Sequence, residues 1–231
     1  MAGAARTMHH TQRFEETGSV MQLFVTPASP WVRRVVVCII ELGLEDKVEM
    51  IPTRWPHEWA TRTVPFAPDF AQATPVGRIP ALVTGQGLRL TDSSVICDYL
   101  NAEHGQYRLL PQAGERRWQI LSQVAIACGA LEAQISRRAE LLRTGADRSD
   151  DFIDKMKTRA LRCFAALDEA AGAFGSEPDL AQITAGAACG FADFRYAQDG
   201  WRDAAPRLAR WYETFAGRPS MIRTRPAETP Q

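Results

Sequence analysis

Residues 21–43 read MQLFVTPASPWVRRVVVCIIELG, and the fold turns on how this stretch is parsed. Residues 21–26 form a strand candidate, and Pro27-Ala28-Ser29-Pro30 reads as a turn. The apolar run that follows is ambiguous, because by propensity alone Val35 to Ile40 suits a buried strand. Three residues favour a helix instead: Ser29 is a good N-cap, Pro30 suits the first helical position and Gly43 is a good C-terminal stop. A strand feeding a capped helix opens a β-α-β unit, and residues 47–52 supply the second strand after a short turn.

Working outward, residues 55–73 are rich in Trp, Pro and Phe without clear period, which predicts an irregular excursion with at most one short helix. Residues 81–84 and 88–91 flank Gly85-Gln86-Gly87 and read as a tight hairpin. A helix then enters through Thr91-Asp92-Ser93-Ser94, with Val95, Ile96, Tyr99 and Leu100 expected on one face and Gly105 at its end. The predicted order β-α-β-(α)-β-β-α is that of a small thioredoxin-like domain.

From about Gly114 the character changes to long, alanine-rich helical periods. Leu121, Val124, Cys128, Leu131 and Ile135 recur every three or four residues, as do Ile153, Met156, Ala160, Phe164 and Leu167. A polar turn near Asp147 to Asp150 separates these two antiparallel helices, and two shorter ones are expected over residues 180–197 and 206–216. The fold class is therefore α/β plus all-α. Residues 21–103 are expected to form the thioredoxin-like domain, 104–113 a linker and 114–226 an all-helical domain. Residues 1–20 are expected to be a flexible extension and 227–231 a tail.

Composition narrows the function. The 231 residues carry 27 basic and 27 acidic side chains and no net charge, and 45% are hydrophobic, which excludes a basic nucleic-acid coat and extended disorder. Only Lys47, Lys155 and Lys157 among the basic residues are lysines, a bias that fits GC-rich coding as readily as phosphate binding. The pairs Arg116-Arg117 and Arg137-Arg138 are expected on solvated helix faces, with no nucleic acid as partner. Cys38, Cys97, Cys128, Cys163 and Cys189 are too widely spaced for a disulfide scaffold or a zinc knuckle and read as small hydrophobes in a reducing cytoplasm. The first twenty residues lack a signal-peptide core, and no apolar run approaches the roughly 18–20 residues that span a bilayer, so a cytoplasmic protein without a membrane partner is expected.

The segments TPASPWVRRV, TPVGRIPAL, LTDSSVICDYL and DLAQITAGAACGFADFRY, in that order on a thioredoxin-like half joined to a helical half, resemble the cytosolic glutathione transferases. The likeness runs from about Met21 to Pro226. It implies glutathione as co-substrate, no metal, and a serine-type enzyme of the detoxification kind, in which Ser29 donates a hydrogen bond to the glutathione thiolate. Thr26 is the nearest rival hydroxyl. The resemblance further implies that Pro80 follows a cis bond, leaving the Ile79 backbone to bind the cysteinyl part as an added strand would. Asp92 and Ser93 match the pair that holds the γ-glutamyl end, although the family more often has Glu than Asp there. Arg78 would pair with the glycyl carboxylate or stand as a solvated arginine, while His57 and Trp59 are weaker candidates. Trp31 would line the pocket for a small hydrophobic electrophile, and a two-fold homodimer would bury faces of the helix after Ser93 and of the long helix that follows.

Read without the family, Ser29, Asp92 and Ser93 are simply capping residues and Pro80 an ordinary strand-initiating proline. The same site could also support glutathione-dependent isomerisation, dehalogenation or ether cleavage, or a non-catalytic binding or assembly role. Asp179 and Gln182 are expected to form a capping box, and Gly186 and Gly190 to let helices approach closely. His57-Glu58-Trp59-Ala60-Thr61 lacks the second histidine of a zinc-protease helix, and no CxxC pair, phosphate loop or GxSxG elbow occurs.

Overall fold

A computed structural model of the chain describes residues 20–53 and 68–228. Strand β1 (Met21–Val25) leads into helix α1 (Pro30–Leu42), and β2 (Val48–Pro52) returns parallel to β1, with Met21 opposite Val48. The ambiguous apolar run is helical. Ser29 caps it by accepting the Val32 N–H at 3.3 Å, and Gly43 ends it at φ 68°, where a side chain would strain the backbone. After α2 (Pro68–Ala73), strands β3 (Ala81–Val83) and β4 (Arg89–Thr91) form the hairpin, and the sheet order is β2-β1-β3-β4.

Side-chain alternation along the strands gives the sheet two different faces. Leu23 and Leu82 join the main core with α1 and α3 (Ser93–Tyr99), whereas Phe24, Ala81 and Val83 pack with Phe70 and Ala73 of α2 in a smaller cluster on the other side. Helix α3 continues as a wider turn over Leu100–His104 before Gly105. Its buried face runs Ser93, Ile96, Cys97, Leu100, spaced i, i+3, i+4 and i+7. Val95, expected on that face, lies a full 100° of helical arc from Ile96 and is 49% exposed.

The helical half consists of α4 (Glu115–Leu141), α5 (Asp150–Ala171), α6 (Leu180–Tyr196), α7 (Trp201–Ala204), α8 (Pro206–Phe215) and α9 (Pro219–Arg223). Both long helices fall where their periods put them, whereas α7 and α9, four and five residues long, are too short to show a period. Helix α6 is buried along nearly its whole length. Its capping box is present in full, with Asp179 Oδ1 accepting the Gln182 N–H at 2.9 Å and Gln182 Oε1 accepting the Asp179 N–H at 3.1 Å. The two glycines act as spacers: a Cβ on Gly186 would meet the Phe215 ring at 2.7 Å, and one on Gly190 would lie 1.9 Å from Arg33 Nη1.

Helix α1 is therefore covered on both sides, by α3 from its own half and by α6 and α9 from the other. Arg33 reaches across to α9, donating to the Met221 carbonyl at 3.2 Å and to Thr224 Oγ1 at 3.4 Å. Near the other end of α1, Glu41 accepts two hydrogen bonds from Arg218, at 3.0 and 2.9 Å, and one from Ser220. Burial pushes the Glu41 carboxyl up, but the bonds from Arg218 and Ser220 outweigh it and hold the group below the usual carboxylate value. Such a group contributes stability above its unfolded pKa and loses it as pH falls through the lower folded value. Glu41→Gln should thus cost about 1.5–3 kcal/mol at pH 7, measured by denaturant unfolding. The gap to wild type should close as pH drops below about 4, the carboxylate range.

Candidate functional site

Strand register alone brings the scattered motifs to one end of the sheet. Phe24 pairs with Ala81, so Pro80 and Ile79 lie beside the C-terminal end of β1, where the chain turns into Ser29. Ala81 also pairs with Thr91, so Asp92 and Ser93 leave β4 at the same level. Strands about 4.8 Å apart thereby gather Ser29, the Ile79-Pro80 pair and the Asp92-Ser93 pair on one edge, with the N-termini of α1 and α3 opening onto it. The Ile79–Pro80 peptide is cis, as the family resemblance implies and against the reading of Pro80 as an ordinary strand-initiating proline. The Ile79 side chain packs on the small cluster around Phe24 and Phe70.

The serine hydroxyls on this edge have their oxygens occupied by the protein. Ser29 Oγ accepts the Val32 N–H, which leaves the hydroxyl hydrogen for another acceptor, so the capping and donor readings of Ser29 are compatible. Ser29 is half-buried, while Thr26, its rival, is buried and already engaged. Ser93 Oγ and Ser94 Oγ both accept from Arg34 Nη1, at 3.3 and 3.2 Å. Asp92 caps α3, its Oδ1 accepting the Ser94 N–H at 2.7 Å, and stands exposed. It does so at φ 73°, ψ 126°, a left-handed conformation that side chains other than glycine rarely adopt.

Arg34 was not among the residues the sequence singled out. It lies wholly buried between α1 and α3, and Cys128 Sγ of α4 approaches its Nη1 at 3.1 Å. Beside it, Cys38 and Cys97, 59 residues apart in sequence, meet at 3.5 Å. Burial opposes ionisation of the Cys97 thiol, yet the Cys38 hydrogen bond and the Arg34 charge hold it below its ordinary value. The Cys38 thiol is pushed well up by that same hydrogen bond and by burial. The available signal was two arginines interrupting an apolar helical run, which only tertiary contacts can assign to opposite faces.

The other candidates are placed as follows. Arg78 is exposed, without an ion pair among the described residues. Trp31 is half-buried against the main core. A cavity of about 280 Å³ opens one helical turn along α1 and is lined by Arg33, Phe194, Tyr212, Met221 and Arg225 among others, but not by Trp31. His57 and Trp59 lie outside the described residues. Arg116, Arg117 and Arg137 are taken up by Asp179, Asp98 and Asp199. Among the described residues no cluster of His, Cys, Asp and Glu fits a metal ion, and no helix is long and apolar enough to cross a membrane.

Residues 28–103 match the family model described as glutathione S-transferase, N-terminal domain, and residues 130–214 match the corresponding C-terminal domain. The chain belongs to the glutathione S-transferase family. Among solved structures, a family member from Pseudomonas fluorescens Pf-5 with bound glutathione is 36% identical at a TM-score of 0.83, over 90% of this chain and all of that one. A Pf-5 family member with bound S-(propanoic acid)-glutathione is 34% identical at a TM-score of 0.78, with the same coverage. The uncharacterized GST-like protein YibF of Escherichia coli K12 is 26% identical over 89% of this chain and 98% of its own length.

Within the transferase fold, the positive φ at Asp92 can be tested by itself. Asp92→Gly, which accepts that backbone, should be about 1–2 kcal/mol more stable than Asp92→Ala in denaturant unfolding. Equal stabilities would show that the backbone there carries no strain.

Proposed function

We propose that the chain is a glutathione transferase that binds reduced glutathione along the gathered edge, holds its sulfur as thiolate with Ser29, and conjugates it to a carbon electrophile. The observation that carries this reading is the Ser29 hydroxyl, whose oxygen is tied to the Val32 N–H at the end of α1 while its hydrogen remains available. An anion placed there meets that donor and the positive end of a 13-residue helix together. Lowering a thiol from about pKa 8.5 by roughly two units requires about 2.7 kcal/mol of thiolate stabilisation. One hydrogen bond to a charged group supplies about 1.5–3 kcal/mol and the helix terminus a further fraction, so the two together suffice.

In this reading the Ile79 backbone pairs with the cysteinyl unit as an added strand, following the cis Pro80 turn. Ser93 and the α3 N-terminus receive the γ-glutamyl carboxylate, and Asp92 accepts from its ammonium. Arg78, exposed beside them, meets the glycyl carboxylate. The S-(propanoic acid)-glutathione bound by the 34% identical relative, a glutathione whose sulfur carries a carbon substituent, supports thioether formation as the reaction class. The electrophile would enter over the N-terminus of α1, past Trp31.

The test is a pH titration of the ultraviolet thiolate absorbance of glutathione bound to the purified protein. We expect an apparent pKa about two units below that of the free thiol, with Ser29→Ala abolishing most of the shift and leaving affinity within a few fold. An unshifted pKa in the wild type would reduce Ser29 to a helix cap. A shift that survives in Ser29→Ala would transfer the role to the backbone or to Thr26.

We also propose a two-fold homodimer through α3 and the start of α4. Val95 is 49% and Trp118 67% exposed, and both flank the Arg117–Asp98 ion pair that ties these helices together at 3.1 Å. A stable dimer buries about 800 Å² on each partner, which two large apolar side chains can centre. Trp118→Arg should shift the mass measured by light scattering from dimer to monomer while leaving far-ultraviolet circular dichroism unchanged.

A further inference from the structure

Arg34 is a wholly buried cation that feels the Asp92 carboxylate through space but makes no ion-pair contact with it. Its Nη1 donates to Ser93 Oγ, Ser94 Oγ and Cys128 Sγ, while its Nε and Nη2 are buried with no hydrogen-bond partner. Among the described residues no carboxylate forms an ion pair with it. Burying a charge is costly unless it is paired, so the site is incomplete as the chain alone presents it. Its geometry indicates where the missing charge belongs. By donating to both serine oxygens, Arg34 leaves each hydroxyl free to point its hydrogen away from the guanidinium, and both hydroxyls sit in the first turn of α3.

We propose that Arg34 is the buried counter-charge for the α-carboxylate of the γ-glutamyl group of glutathione, acting through Ser93 and Ser94 as a positioning residue. This rests on the reading of the edge as a glutathione site. The guanidinium polarises both hydroxyls, and hydrogen bonds in such a chain strengthen one another in a low-dielectric interior. The carboxylate in turn neutralises a charge that the folded chain otherwise carries unpaired. Arg34 never touches the ligand, so its contribution is seen only as discrimination between ligands with and without that carboxylate.

The experiment compares glutathione with 4-aminobutanoyl-cysteinylglycine, which lacks only the γ-glutamyl α-carboxylate, by titration calorimetry on wild type, Arg34→Met and Arg34→Lys. Wild type should favour glutathione by about tenfold to a hundredfold, the range for hydrogen bonds to a charged group. Arg34→Met should bind the two ligands within about threefold of one another, and Arg34→Lys, which keeps the charge, should retain most of the preference. The ligand-free Arg34→Met protein should unfold at the same or higher denaturant concentration than wild type, because an unpaired buried charge has been exchanged for an apolar chain of similar volume. That readout separates this role from a structural one, in which the Met variant would unfold earlier and weaken both ligands alike. If Arg34→Met keeps the full preference, the inference is overturned. If wild type binds glutathione without preference, Arg34 has no part in carboxylate recognition even though the site stands. If wild type binds neither ligand, the reading of the edge fails and this inference with it.

Discussion

The structure depends on α1 being packed from both sides. One turn of this helix sends Arg33 into the helical half and the next residue, Arg34, into the sheet half, because consecutive side chains on a helix diverge by 100°. Arg33 fits only because Gly190 presents no side chain to it, and Arg34 is received by two serines and a cysteine. Two buried arginines in a row are a severe demand on packing. They also anchor α1, and with it the serine at its start, since neither face can shift without breaking the hydrogen bonds these guanidinium groups make.

A single device recurs along the candidate edge. Protein donors occupy the oxygens of Ser29, Ser93 and Ser94, a backbone N–H in the first case and a guanidinium in the others. A hydroxyl whose oxygen is already accepting is an oriented donor, so the edge turns hydrogens toward whatever anion it receives. Asp92 is the exception. It is an exposed carboxylate held at positive φ and contributes a charged acceptor that the serine hydroxyls do not.

How far this could be read beforehand depended on the range of the interactions. Ser29, Pro30 and Gly43 act within a turn of their own helix and marked α1 against its strand-like interior. Asp179 and Gln182 announced α6 for the same reason. Val95 was misplaced because its neighbours are all apolar, and only the angle to Ile96 distinguishes the buried side from the open one. The short helices α7 and α9 exist through tertiary packing and carry no period to detect. Arg34 and the Cys38–Cys97 contact were invisible for a deeper reason: their partners lie 59 to 94 residues away, and nothing in either local sequence says which of two arginines faces them.

The double covering of α1 also bears on how the chain emerges from the ribosome. The sheet half is complete by about residue 104, yet the surface of α1 around Arg33 and Glu41 waits for α6 and for residues 218–224. At synthesis rates of about 5–20 residues per second, that interval is on the order of ten seconds. For that time a nascent chain carries a half-finished helix with one flank bare. The price of a shared helix is therefore paid before folding ends, as a window in which the early half needs shelter that the late half will eventually provide.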